Sequence, residues 1–308
     1  MSSILVLGAG ELGSQVLSSL ARYEKRSPTK ISVLLRPSSI SSPDPQKAHQ
    51  IRDLQNLSIS VVPGDIEHDT LERLTEVFTP FDTIISCTGF AAGKGTQLKI
   101  TRAVLASGAK RYVPWQFGVD YDVIGRGSGH GLFDEQLDVR ELLRSQSQAQ
   151  TKWAIISTGM FTSFLFESSF GVVDLSRSSV CALGSWENRV TVTTAGDIGL
   201  ATAEAVLGDG SDSAFSDRPV YIGGDTISYA QLAELIESVT GRTVSRRCLT
   251  VQEVEAELAR DTENALAKYQ LVFGQGRGVA WDLAETWNWK TGMRFLTAEE
   301  WARRNLAA

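Results

Sequence analysis

Short apolar runs alternate with amphipathic stretches over the first half of the chain. In the stretches near 12–23, 68–78, 96–107 and 132–146, apolar residues recur three and four positions apart, as on the buried face of a helix. The apolar runs between them predict six strands, at 4–7, 31–35, 59–62, 83–86, 111–114 and 154–157. Strands and helices that alternate in this way are typical of an α/β fold with a parallel, doubly wound sheet.

The alternation of strands and helices becomes less regular after residue 160. The pattern there predicts two strands, at 190–193 and 219–222, and four helices, at 195–207, 228–240, 251–260 and 262–272. We expect residues 1–157 to form the parallel-sheet domain and residues 158–308 to form mainly a smaller α+β lobe. Some segments of the second half, such as 190–207, are expected to pack back on the first domain.

Two segments have the composition of loops. Residues 37–45 are rich in serine and proline, which predicts a surface loop. Residues 125–131 alternate glycine with other residues and include His130, which predicts a mobile loop.

A doubly wound sheet binds its ligands at the carboxyl ends of its strands, near the point where the strand order reverses. The residues that follow the predicted strands are therefore the candidates for a binding site. They are 8–13, Arg36, 64–65, 88–90, 115–118 and 158–161.

The sequence Gly8-Ala9-Gly10-Glu11-Leu12-Gly13 directly follows the first predicted strand. Gly8 permits a tight turn, Gly10 lets the backbone approach phosphate groups, and Gly13 allows the next helix to pack closely on the strand. The first N–H groups of that helix then face the negative charge of a pyrophosphate. The motif indicates dinucleotide binding, and the alternative is a purely structural glycine turn in another kind of α/β protein.

The end of the second predicted strand indicates which dinucleotide is bound. Sites for NAD usually have an aspartate or glutamate there, which binds the ribose 2′-hydroxyl. This chain has Arg36, whose guanidinium can bind a 2′-phosphate through two charge-assisted hydrogen bonds. Lys47 is a second candidate cation, although either side chain can instead be a solvated surface charge. The sequence favours NADPH over NADH.

Composition narrows the class of protein. The net charge of −6 and the isoelectric point near 5.3 argue against a nucleic-acid or anionic-membrane partner. No apolar run approaches the ~20 residues that span a bilayer, and the first strand begins at once, so we expect no signal peptide. The three cysteines lack metal or redox spacing. We expect a cytoplasmic protein, monomeric or homodimeric, that binds no metal and acts on a small molecule.

The chain lacks the usual catalytic pair of short-chain dehydrogenases, because none of its six tyrosines is followed by a lysine four residues later. It resembles instead the isoflavone reductase-like and NmrA-like branch of the atypical short-chain dehydrogenases, most of all fungal members from secondary-metabolite biosynthesis. The resemblance rests on residues 8–13, 33–37, 64–66, 86–89, 110–118 and 157–161. It implies an NADPH-binding Rossmann fold, a small substrate lobe, and often reduction of ketones, enones or benzylic ethers.

Two departures from the family pattern concern catalysis. Reductases of this family typically read Pro-Ser-Glu-Phe-Gly after the fifth strand, where this chain has Pro114-Trp115-Gln116-Phe117-Gly118. They also carry a lysine in a Phe-x-x-Lys pattern, and Gln136 takes that position here. A glutamine can hydrogen-bond the nicotinamide ribose or a substrate carbonyl, but it is neither an acid nor a base.

The candidate residues fall into two groups. The candidates for catalysis are Gln116, His130 and Gln136, of which only the imidazole exchanges a proton near neutral pH. The candidates for cofactor binding are Gly8, Gly10, Glu11, Leu12, Gly13, Arg36, Lys47, Thr88, Gly89, Phe90, Gln116, Gln136, Gly159, Met160 and Phe161.

We therefore predict an NADPH-dependent oxidoreductase that transfers hydride to a carbonyl or conjugated carbonyl of an aromatic or polyketide-type natural product. Aromatic residues after position 160 can line such a substrate's pocket or simply form the core: Phe161, Phe164, Phe166 and Phe170. The absent lysine leaves two alternatives open. One is a non-catalytic regulatory protein that senses NADP(H), and the other is a redox-neutral enzyme on the same fold.

Overall fold

A computed structural model describes residues 2–90, 93–146, 150–209 and 211–306, except for the side chain of residue 212. These residues divide into two units. The first contains Met1–Gln116, Asp138–Ile156 and Ile198–Val220, and the second contains Phe117–Leu137, Ser157–Asp197 and Tyr221–Ala308. Residues 117–137 thus lie in the second unit and 198–220 in the first, whereas the sequence predicts a boundary after residue 157 with segments such as 190–207 packing back on the first domain. The assignment of cofactor binding to residues 1–157 and of substrate binding mainly to residues 158–308 remains a prediction.

The first unit is built around a six-stranded parallel sheet. Its strands are β1 (Ser3–Leu7), β2 (Lys30–Leu35), β3 (Ile59–Pro63), β4 (Thr83–Ser86), β5 (Arg111–Val113) and β6 (Lys152–Trp153). Their order is β3-β2-β1-β4-β5-β6, and all five neighbouring pairs are parallel. This is the strand order of a Rossmann fold, with the reversal between β1 and β4. The predicted fold class is confirmed.

The strands are apolar because helices cover the sheet. Leu5 and Leu7 belong to one core cluster with Leu74, Ile100 and Val139, which lie in helices that cover this face of the sheet. Ile4 and Val6 alternate with them toward the opposite face and are equally buried. Each such side chain contributes about 2 kcal/mol to the free energy of folding.

Among the described residues, eight helices begin or end within the first unit. They are α1 (Glu11–Arg22), α2 (Pro37–Ile40), α3 (Pro45–Asn56), α4 (Leu71–Phe78), α5 (Thr96–Ser107), α7 (Asp134–Arg144), α9 (Ala195–Leu207) and α10 (Ser211–Ala214). The prediction of a plain loop at 37–45 is wrong, because it contains α2. The sequence pattern does not predict helix α3. Leu54 is its only buried residue, and its sequence therefore lacks an apolar face.

The strand predicted at 154–157 is present as β7, but it does not belong to the six-stranded sheet. Strand β6 ends at Trp153, and the following β7 (Ile155–Ser157) pairs with β12 (Pro219–Tyr221) in a separate two-stranded sheet. Residues 153–157 are all buried, so the apolar pattern runs through the break without marking it.

The second unit contains two three-stranded sheets. Their strands are β8 (Met160–Phe161), β9 (Val173–Asp174), β10 (Ser179–Leu183), β11 (Arg189–Thr193), β13 (Asp225–Ser228) and β14 (Ser245–Leu249). One sheet has the order β14-β10-β9 and the other the order β13-β11-β8, and each combines a parallel with an antiparallel pair.

The helices of the second unit are mostly short. They are α6 (Tyr121–Ile124), α8 (Thr162–Leu165), α11 (Tyr229–Thr240), α12 (Val251–Leu258), α13 (Ala265–Gly274), α14 (Trp287–Lys290) and α15 (Ala298–Asn305), with 3₁₀ turns at Ser168–Phe170 and Leu283–Glu285. Capping boxes begin α11, α12 and α15, at Ser228, Thr250 and Thr297. Among the described residues, no helix is long and apolar enough to cross a membrane.

Candidate functional site

A cavity of about 380 Å³ lies at the carboxyl ends of β1 to β4 in the first unit. The turn at 8–10 and the residues after β3 and β4 form part of its lining, and helices α2 and α3 form the rest. Five of the predicted site residues meet there: Gly8, Gly10, Arg36, Lys47 and Thr88. The cavity thus lies where the strand order reverses, as expected for a ligand site of this fold.

Gly8 and Gly13 are required by the protein's own geometry. Gly8 has φ +91°, a left-handed conformation that favours glycine. A Cβ atom on Gly13 would lie 2.2 Å from the carbonyl oxygen of Gly8 and 3.4 Å from Cβ of Cys87. Helix α1 therefore packs on the turn more closely than any side chain permits.

Gly10 has no such internal reason. Its φ of −72° suits any residue, and a Cβ atom there would meet no described atom within 4 Å. The residue is exposed and lines the cavity, so a side chain at this position would occupy space next to the first turn of α1. The geometry therefore fits a bound group that must reach the backbone itself.

Two cations border the same cavity. Arg36 follows β2 and precedes α2, and Lys47 lies in the first turn of α3. Gln50 and Ile51, three and four positions after Lys47, also line the cavity, so one face of α3 is turned toward it. The Nε2 atom of Gln50 donates to the carbonyl oxygen of Ala9 at 2.6 Å, which ties α3 to the glycine turn.

An acidic turn after β3 forms the opposite border. The carboxylate of Asp65 accepts hydrogen bonds from the backbone N–H groups of Glu67 and His68 and contacts the His68 ring at 3.1 Å. Burial alone would raise the pKa of Asp65, but these hydrogen bonds outweigh it and hold the pKa below its usual value. Asp65 is therefore a structural part of the turn.

The same three side chains place one potential metal-ligand atom each within 4.8 Å of the others. Glu67 and His68 are exposed, and the His68 ring already faces Asp65. The expectation that the protein binds no metal remains a prediction.

The residues after β4 pack against Trp115. Gln97 donates from Nε2 to the carbonyl oxygen of Thr88 at 2.8 Å. A Cβ atom on Gly89 would lie 2.9 Å from the indole of Trp115, and the ring of Phe90 meets the same indole edge-on at 4.7 Å. Six other predicted cofactor residues of the first unit do not line the cavity: Glu11, Leu12, Gly13, Gly89, Phe90 and Gln116.

Gln116 is only 1% exposed, and its Oε1 atom accepts a hydrogen bond of 2.8 Å from Nε of Arg140. Arg140 lies on α7 and is fully buried. A guanidinium has donors only, so the amide oxygen of Gln116 must face Arg140, and the amide nitrogen must point elsewhere. No local pattern predicts this contact, because the two residues belong to different elements.

The other two candidate catalytic residues lie in the second unit. Gln136 is fully buried on α7. His130 is exposed, with φ +52°, in the glycine-rich loop. Backbone bonds from Gly131 to Gly127 and Ser128, and a bond from the Gly127 N–H to Asp134, hold that loop.

Residues 159–161 are part of the second unit's framework. Gly159 has φ +70°, and a Cβ atom there would lie 2.1 Å from the carbonyl oxygen of Thr191. Met160 and Phe161 form β8, which pairs with Val192 and Thr193 of β11. Their role toward a cofactor remains a prediction.

An aromatic cluster lies in the second unit. Neighbouring ring centroids are 4.4–6.1 Å apart among Tyr121, Phe133, Phe164, Phe170, Tyr269 and Phe273. Phe166 stacks instead on Trp301 at 4.8 Å. Burial raises the pKa of Tyr269, so its hydroxyl stays protonated at neutral pH. Of the predicted pocket aromatics, Phe164 and Phe170 belong to this cluster and Phe166 does not.

The family model of NmrA-like proteins matches residues 1–301. The chain belongs to the NmrA-like family. A relative from Gibberella moniliformis, named NmrA-like family domain-containing oxidoreductase, is 44% identical to this NmrA-like chain over 302 residues, which cover 98% of this chain and 97% of the relative.

Two solved structures share the fold of this NmrA-like chain. The structure of isoflavone reductase has a TM-score of 0.79 and 19% identity, and the match covers 98% of this chain and 99% of that one. The leucoanthocyanidin reductase–NADPH complex from Vitis vinifera has a TM-score of 0.73 and 21% identity, with 91% and 90% covered. The family resemblance inferred from the sequence is confirmed.

Proposed function

We propose that this NmrA-like protein is an NADPH-dependent oxidoreductase that reduces a carbonyl or conjugated carbonyl of an aromatic natural product. The observation that carries the proposal is Gly10. Neither the backbone conformation nor the packing requires a glycine at this position. Gly10 also borders a cavity that is lined by two cationic side chains, Arg36 and Lys47. A phosphate-bearing ligand accounts for both features.

The residues present fit NADPH. The turn at 8–13 and the N-terminus of α1 would hold the pyrophosphate, because the helix dipole and the N–H groups of a helix's first turn favour negative charge there. Arg36 and Lys47 would hold the 2′-phosphate, with Ser39 on the same border of the cavity. A solved structure of the same fold is described as a complex with NADPH, which supports this assignment.

When bound, NADPH supplies a hydride from its nicotinamide ring. The chain's own part is to orient the substrate and to stabilise the oxygen that gains negative charge. Gln116 and Gln136 can donate hydrogen bonds to that oxygen but cannot give up a proton. His130 or water would provide the proton.

The substrate class follows from the relatives and from the aromatic cluster. Isoflavone and leucoanthocyanidin, which appear in the names of the two similar structures, are aromatic compounds. Phe164 and Tyr269 are only partly buried in the cluster, and we propose that this cluster packs against an aromatic substrate.

The proposal is tested with the purified protein, NADPH and a panel of aromatic ketones and enones. We expect oxidation of NADPH in a one-to-one ratio with the reduced product, and a much slower reaction with NADH. Arg36→Ala should remove most of the preference for NADPH. If the wild type and Arg36→Ala each bind NADPH and NADH with equal affinity, the assignment of the cofactor is contradicted.

A second candidate function is favoured by one observation. Gln116 and Gln136 stand where the family pattern that this sequence resembles has a glutamate and a lysine, and they are 1% and 0% exposed. Two buried neutral amides at these positions suit a protein that binds NADP(H) as a signal without turnover. This function predicts tight NADPH binding with no NADPH consumption across the whole panel.

A further inference from the structure

One carboxylate lies next to Arg36 at the border of the cavity. The Nη1 atom of Arg36 is 3.9 Å from Oε2 of Glu67, and both side chains border the cavity. Both are about half exposed, at 59% and 51%. Lys47, the second cation of the lining, has no acidic partner within 4 Å among the described residues. The positive charge of the cavity is thus partly compensated at Arg36 and uncompensated at Lys47.

The backbone on either side of Glu67 is fixed. Asp65 accepts from the Glu67 N–H at 3.0 Å. The ammonium group of Lys99 donates to the carbonyl oxygens of Glu67 and Asp69, at 3.0 Å and 3.1 Å. A turn held at both ends keeps the backbone of Glu67 at the border of the cavity, from which its carboxylate reaches Arg36.

We infer that Glu67 is a specificity-determining residue that weakens the preference for NADPH over NADH. The inference rests on the proposed function. A 2′-phosphate carries nearly two negative charges at neutral pH, and a 2′-hydroxyl carries none. Glu67 both neutralises part of the Arg36 charge and repels a phosphate placed beside it. NADH experiences neither effect, so the carboxylate narrows the difference in affinity between the two dinucleotides.

The test compares wild type, Glu67→Gln and a control, Glu76→Gln. Glu76 lies on α4, pairs with Arg73 and does not line the cavity, so its variant removes the same charge from the same unit. Dissociation constants are measured by calorimetry for 2′,5′-ADP and 5′-AMP at low ionic strength, and for NADPH and NADH. These ligands differ within each pair only by the 2′-phosphate.

We expect Glu67→Gln to bind 2′,5′-ADP and NADPH about fivefold more tightly, with 5′-AMP and NADH changed less than about twofold. The gain should shrink in about 0.5 M salt, because these charges are solvent-exposed. Glu76→Gln should match wild type throughout.

The outcomes separate the inference from the function on which it rests. If wild type binds 2′,5′-ADP and Glu67→Gln binds it no more tightly, the inference is wrong and the proposed function stands. The inference is equally wrong if Glu67→Gln tightens 5′-AMP as much as 2′,5′-ADP. If wild type binds neither NADPH nor 2′,5′-ADP, the proposed function is itself overturned, and the inference with it.

Discussion

The three glycines of the 8–13 turn serve different purposes at the residue scale, although the sequence motif presents them as equals. Gly8 is needed for its backbone conformation and Gly13 for close packing, whereas Gly10 is not needed by the described part of the fold. The sequence predicted these roles from the motif alone. The sequence does not show which of the three glycines the stability of the fold requires, because the contact distances that decide this exist only in the folded chain.

Gly10→Ala and Gly13→Ala should therefore have opposite signatures. We expect Gly10→Ala to leave the free energy of unfolding unchanged or raised by about 0.5 kcal/mol and to weaken NADPH binding at least tenfold. Gly13→Ala should lower the free energy of unfolding by about 2 kcal/mol or more, because its Cβ would collide with backbone. Urea denaturation and NADPH titration measure both. A Gly10→Ala variant that binds NADPH like wild type would contradict the phosphate assignment.

The orientation of the Gln116 amide leads to a second prediction. In Gln116→Glu the carboxylate still accepts from Arg140 and adds an opposite charge, but the NH₂ group is lost. We expect the thermal midpoint of this variant to stay level or rise, while kcat falls at least tenfold. Gln116→Leu should lose about 1–3 kcal/mol of stability, because it removes an acceptor from a buried guanidinium. Full turnover by Gln116→Glu would show that the amide is not a donor in the reaction.

At the scale of elements, prediction succeeded where burial imposes a period. Strands β1 to β5 and helices α1 and α5 follow the apolar pattern to within one residue or so. Helix α3 failed because a helix with one buried residue carries no apolar period, and yet it positions Lys47 and Gln50 at the cavity. The strand predicted at 154–157 is present as β7, but the sequence did not predict β6 as a separate strand, because the buried run continues past the end of the sheet.

One carboxylate connects the starts of three strands. Asp82 accepts from the N–H and hydroxyl of Ser3 and from the ammonium group of Lys110, at 3.0, 3.0 and 2.7 Å. The Lys110 ammonium, with Ser3, outweighs burial and holds the pKa of Asp82 below its usual value. A carboxyl whose pKa is depressed by folding stabilises the protein above its unfolded pKa of about 4, and this contribution is lost as the pH falls through the folded value.

Asp82→Asn should therefore destabilise the protein at pH 7 by about 1 kcal/mol, a value discounted because the pair is partly exposed. The difference from wild type should shrink as the pH falls from about 5 to 3. Urea denaturation at several pH values measures it, with the exposed Asp53→Asn as control. A difference that is constant across this range would assign the effect to lost hydrogen bonds and not to charge.

At the scale of the whole molecule, the sequence predicted the Rossmann sheet but not the sheets of the second unit. Their pairings join distant segments, such as Ser179 of β10 with Ser245 of β14. Strands as short as β8 and β9 have two residues each, too few to show an alternating pattern. The aromatic cluster likewise gathers residues from separate elements, so only some members were foreseen.

Ligand binding should stabilise the whole chain if the cavity holds the cofactor. At NADPH concentrations of about 100 times its Kd, the free energy of unfolding should rise by about 2.7 kcal/mol. NADH at the same concentration should stabilise the protein less, and Arg36→Ala should reduce the difference between them. Calorimetric scans with and without each dinucleotide provide the measurement. Equal shifts for both dinucleotides with wild type would be inconsistent with recognition of the 2′-phosphate.

The contact between Gly89 and Trp115 also constrains how this chain can diverge. A Cβ atom at position 89 would lie 2.9 Å from the indole of Trp115, and a serine at position 115 would remove that obstacle. We therefore expect Gly89→Ala to be deleterious in this background and tolerated after Trp115→Ser. The order in which an evolving lineage accepts these two mutations is fixed, since the small residue at 115 must come first.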